Sequence, residues 1–383
     1  MNWLTGSKPT DARHWVRQLP DPAKRERAAA ELLRMGAEAA PALIEALRSP
    51  TPGLPPLAGQ LLLRLGPTAT PALAYSLLND HPEVRARAAA LLGQGKDPQA
   101  LPALLQALRG EYYTVRQQAA LALGTTRSPQ ALPALLEAFK DPEAEVRAAA
   151  ATAVGRYCDP RTFDQMADLL LEDPQLEVRQ ATARALGETR REQAIPYLLI
   201  ALHDSFWWYE RESGADVLLD AIEAIGAPAV ESLLEALGDP EGAVRRFAAL
   251  LLGRIRDPRA IEPLGMALYD MHAEVGQAAA ESLAGFGEAG LRILGEALKH
   301  PEAWLRQHAI SGLTLSGDQR IVPVLLGMLD DPEREVVKLV IQSLGKLKDQ
   351  RALPALQAIA IRRADRELSS LARGAIQALE GSL

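Results

Sequence analysis

The chain has 383 residues, 24% of them Asp, Glu, Lys or Arg, with a formal net charge of −7. That balance excludes a general phosphate-binding surface, which needs clustered Lys and Arg to displace counterions, so no nucleic acid is expected as a partner. The lone Cys158 excludes an internal disulfide, no apolar run approaches the roughly 18 residues of a membrane span, and MNWLTGSKPTDARHW lacks the apolar core of a signal; a cytoplasmic protein is expected.

Along the chain one pattern repeats. Asp97 to Gly124, DPQALPALLQALRGEYYTVRQQAALALG, is restated at Ser128 to Gly155 as SPQALPALLEAFKDPEAEVRAAAATAVG. The closing glycine recurs at Gly36, Gly66, Gly93, Gly124, Gly155, Gly187, Gly226, Gly253 and Gly345, with Ala284 and Thr314 in its place between the last two. Twelve repeats can be counted, degenerate over 1–66 and 346–383, where a stack must end in caps.

Each repeat reads as two helices. A proline such as Pro71, Pro102, Pro133, Pro196 or Pro354 opens the first, where its missing N–H is tolerated, and leucines follow at helical spacing. Asp-Pro at Asp141, Asp173, Asp239 and Asp331 breaks the chain, because a residue before proline is driven out of the helical region. The second helix opens with Val-Arg, runs Ala-rich, and is expected to end at the glycine in a left-handed residue. A lone hairpin cannot bury its apolar face, so the repeats should stack as one continuous domain over 1–383.

The LPALLEAL-type first helix, the Asp-Pro turn and the VRxxAAxALG second helix resemble the HEAT-repeat superfamily, in particular the short bacterial HEAT-like repeats of the phycocyanobilin lyase type. The resemblance implies an all-α, right-handed α-solenoid of about twelve helical hairpins. It also implies a ladder between repeats, with Asp80, Asp141, Asp173, Asp239 and Asp331 as acids and Arg85, Arg116, Arg147, Arg179, Arg245 and Arg306 as bases.

Departures from the repeat nominate the binding surface. In the seventh repeat the turn is stretched to Ser205-Phe206-Trp207-Trp208-Tyr209-Glu210-Arg211-Glu212-Ser213-Gly214, in a chain only 4% aromatic. Trp, Tyr and Arg dominate binding hot spots, so Phe206, Trp207, Trp208, Tyr209 and Arg211 are read as a partner anchor, against the plainer reading of an extra packed helical turn. Tyr112 and Tyr113 in the fourth repeat and Trp304 in the tenth extend that turn edge. The resemblance places the second helices on a concave face, lined by Arg87, Gln117, Gln118, Gln180, Asp220, Arg246, Phe247, Gln277, Gln307, His308 and Lys338. So polar a row suits recognition of a polypeptide.

Chemistry is sparse. No Gly-x-Ser-x-Gly elbow, phosphate loop or Cys-x-x-Cys occurs, and the His-x-Glu turns at His81, His272 and His300 are too far apart to converge on a metal. The reading is a monomeric, non-enzymatic scaffold for a protein or peptide, with no cofactor. The alternative is a bilin lyase or chromophore-handling chaperone using Trp207, Trp208, Tyr209, Arg211 and Asp220.

Overall fold

The computed structural model describes residues 11–203, 213–361 and 365–380, and among them every regular element is a helix. Twelve helix pairs follow in order, from Ala12–Val16 with Pro22–Met35 to Leu353–Ala360 with Arg366–Glu380. This is the all-α solenoid expected. The chain forms two compact units, Met1–Ala201 and Leu202–Leu383.

Local chemistry sets each helix. In the fourth pair the Asp97 carboxylate accepts the Gln99 N–H, capping a 3-10 turn at Pro98–Ala100 that leads into Leu101–Ala107. Asp159, Asp257, Asp318 and Asp349 do the same in later repeats. Leu104, Val115, Leu123 and Leu135 are fully buried between the helices of successive pairs. From the third pair to the sixth, and again in the second unit, the second helices lie closer together than the first helices do.

That closeness corrects the expected role of the glycines. Of the glycines that close the repeats, only Gly36, Gly66 and Gly226 sit at positive φ. A Cβ built on Gly93 would lie 2.7 Å from Ala122, on Gly155 2.8 Å from Ala185, and on Gly345 3.0 Å from Ala375. Gly93 and Gly345 lie inside their helices and Gly155 is the last residue of Ala144–Gly155; all three admit the neighbouring backbone without a left-handed conformation. The left-handed residue comes three positions later, at Lys96, Arg127, Cys158, Arg190, Arg256, Gly317 and Lys348. Five of those seven are cationic, which suits the negative end of the helix dipole.

Candidate functional site: the turn edge of the repeats

Four complete rungs order the turns. Arg116 donates from Nε and Nη2 to the Asp141 carboxylate at 2.7 and 2.8 Å, and from Nη1 to the carbonyls of Gly110 and Glu111. Arg147 with Asp173, Arg245 with Asp270, and Arg306 with Asp331 repeat this forked geometry. Each aspartate also accepts the N–H two residues on, from Glu143, Gln175, His272 or Glu333. Burial alone would raise the Asp141 carboxyl, but Arg116 and the Glu143 N–H outweigh it and hold it below its ordinary value. The Arg245 guanidinium lowers Asp270 in the same way.

The ladder differs from expectation at particular residues. Asp270, followed by Met271 where the other rung acids have proline, is a rung acid that the Asp-Pro pattern misses. Asp239 instead caps its own turn through the Glu241 N–H and faces His203 at 3.3 Å. Asp80 accepts the Ser76 hydroxyl. Arg179 donates to the Asp173 carbonyl as the bases of the complete rungs do to theirs, and the acid position after it, Asp204, lies outside the described residues. Glycine interrupts the ladder at two places. Gly110 stands in the acid position opposite Arg85; Gly276 stands in the base position, with His300 in the acid position after it.

Where Gly276 lacks a side chain, His308 fills the space: a Cβ there would lie 2.7 Å from the imidazole Nδ1. His308 is only 8% exposed, Trp304 packs edge-on against it, and Nδ1 has no hydrogen-bond partner among the described residues. Burial pushes this imidazole below its ordinary value of 6.5.

The residues nominated from sequence fall into three groups. Phe206, Trp207, Trp208, Tyr209 and Arg211 lie outside the described residues. Tyr112, Tyr113 and Trp304 are exposed. On the second-helix face, Arg87 pairs with Glu83 and Asp220 with Arg254, while Gln118 is half-buried and Arg246 is exposed. Phe247 and His308 are corrections: at 7% and 8% exposure they belong to the packing beneath that face.

The structure adds residues that the repeat pattern passed over. Tyr269 is 55% exposed and Met271 89%, and Tyr269 packs edge-on against His300 of the next turn. Tyr269, Met271 and Trp304 thus occupy the ninth and tenth turns. The signal was a turn reading Leu268-Tyr269-Asp270-Met271-His272, with two large apolar side chains where a lysine and a proline stand around Asp141. Among the described residues no three His, Cys, Asp or Glu side chains gather to hold a metal, and no helix is long and apolar enough to cross a membrane.

The family model described as HEAT repeats matches residues 70–144, 134–219, 215–284 and 291–380. The chain belongs to the HEAT-repeat family. Solved structures with similar HEAT-repeat folds include Kap95p in its complex with RanGDP, 13% identical over 96% of this chain and 60% of that one, with a TM-score of 0.52. The Kap95:Nup1 complex gives 14%, 96%, 61% and 0.51. The chain spans about three fifths of those neighbours, and at such identities they show the fold alone. CpcE and CpcF of phycocyanin lyase from Nostoc sp. PCC7120 match at 26% identity over 39% of this chain and 97% of that one, with a TM-score of 0.33. Comparison with curated proteins gave no match.

Proposed function

We propose that this HEAT-repeat chain is a non-enzymatic scaffold, a cytoplasmic monomer whose repeats stack continuously and whose turn edge grips a protein or peptide. The observation that carries the reading is Tyr269, Met271 and Trp304, three large apolar side chains left open on consecutive turns. Aromatic side chains offer large contact area at small entropic cost, and methionine adapts to irregular surfaces, so such a patch suits a partner. Tyr112 and Tyr113 extend the same logic to the first unit. The half-buried glutamines Gln117, Gln118, Gln180, Gln277 and Gln307 would supply adaptable hydrogen bonds on the second-helix face.

The chromophore-handling alternative draws no support from the described residues. Of its proposed ligands only Asp220 is described, and Arg254 already engages it at 3.1 Å. The scaffold reading is tested by recovering bound proteins with the wild type and with a Tyr269→Ser, Met271→Ser, Trp304→Ser variant shown to be folded. Each recovered protein is then purified and its Kd measured against both. Tenfold or greater weakening with the variant supports the edge as anchor; equal affinity refutes it.

A further inference from the structure

The interrupted rung at Arg85 has no acid opposite it, while both Nη groups of its guanidinium are left open among the described residues. In the four complete rungs one carboxylate receives a forked arginine and the N–H two residues further along its own turn. At the fourth repeat the acid position is Gly110, and a Cβ built there would lie 3.4 Å from Arg85 Nη2. The guanidinium therefore stands beside the place where a carboxylate would sit. Its Nε is used on the Leu77 carbonyl at 2.9 Å, and its carbon lies 5.7 Å from the Tyr112 ring centroid. Neither Nη group has an acceptor among the described residues.

The backbone partner waits as well. Tyr112 is two residues beyond Gly110, and its N–H has no acceptor among the described residues. Tyr112 begins the helix Tyr113–Thr126 without a side-chain cap. A cavity of about 490 Å³ adjoins this point, with Arg85, Arg109, Gln106 and Gly110 on its polar side and Leu78 and Leu105 on its apolar side. Arg109 is exposed and makes no ion pair among the described residues. Glu111, the nearest acid along the turn, bonds to neither arginine through its side chain.

The geometry points to a carboxylate-binding site at Arg85, Arg109 and the Tyr112 N–H, filled from outside by the group that the chain itself supplies at Asp141, Asp173, Asp270 and Asp331. Forked pairing with arginine selects a planar carboxylate over a point charge such as chloride. The apolar side of the cavity accepts the carbon skeleton that carries it. The site does not depend on the Tyr269, Met271 and Trp304 patch, which lies on other turns, so either can fail alone.

The test uses the full chain, with the arginine Nε–Hε signal of Arg85 followed by NMR and assigned by its loss in Arg85→Gln. Three probes are titrated against equal chloride: acetate, an amidated peptide with one glutamate, and a peptide with a free C-terminus and no acidic side chain. A saturable shift is expected from at least one probe. It should weaken at least tenfold in Gly110→Asp, which places a tethered carboxylate in the site. A stronger response to one peptide assigns a side-chain or chain-end source, and a response to acetate alone assigns a small free carboxylate. No saturable shift from any probe would overturn the proposal, as would an unchanged shift in folded Gly110→Asp. If that variant does not fold, a wild-type thermal shift in acetate that persists in Arg85→Gln overturns it equally.

Discussion

Gly124 and Ala153 meet across two second helices so closely that a Cβ built on the glycine would lie 2.6 Å from the alanine Cα. Real Cβ atoms do not approach a backbone atom that closely, so one helix would have to move. Gly124→Ala is expected to lose about 1–3 kcal/mol, the range for overpacking. Gly374, in the helix Arg366–Glu380, has nothing within 4 Å of a built Cβ. Gly374→Ala should gain about 0.5–1 kcal/mol from helix propensity. Urea denaturation of both variants checks the opposite signs.

The Arg147–Asp173 rung is almost wholly buried. Asp173→Asn would leave Arg147 without its counter-charge, and a loss of about 3 kcal/mol is expected. Arg147→Met combined with Asp173→Leu should lose much less, because two apolar side chains leave no orphaned charge. A double-mutant cycle that found the two changes simply additive would contradict this.

His308 gives the chain a pH dependence of definite sign. Its folded pKa lies below the unfolded value of 6.5, so the unfolded state binds the extra proton. The stability it confers is complete above about pH 6.5 and is lost as pH falls below it. Wild-type Tm should therefore fall between pH 8 and pH 5 by more than that of His308→Leu, and equal falls would show that this imidazole is not desolvated.

Left-handed residues other than glycine are strained by about 1–2 kcal/mol. At Cys158, with φ of 51°, glycine relieves that strain and costs roughly 0.5–1 kcal/mol of extra unfolded-state entropy. Cys158→Gly should then stabilise by about 0.5 kcal/mol. Arg127→Gly should gain less, since it also removes a cation from a helix C-terminus. Thermal unfolding of the pair reads the difference.

The helix pairs were legible in the sequence because proline, leucine spacing and Asp-Pro each act within a few residues. Most of the ladder was legible too, but Asp270 was hidden by a missing proline. The glycines were misread because the letter is the same for a left-handed turn and for a close approach; only the partner at Ala122 or Ala153 decides, and it lies in the next repeat. Phe247 and His308 were placed on the open face by their spacing from Val244 and Leu305. His308 is drawn inward by the absence of a side chain at Gly276, a neighbour distant in sequence.

Each complete rung runs forward: an arginine in one repeat holds the aspartate of the next. Cutting the chain between such repeats would strand a guanidinium on one fragment and a carboxylate on the other. Between Gly95 and Asp97, or between Leu283 and Gly287, no complete rung is cut, so both places are natural seams for building shorter arrays, each needing only a polar cap on the exposed apolar face.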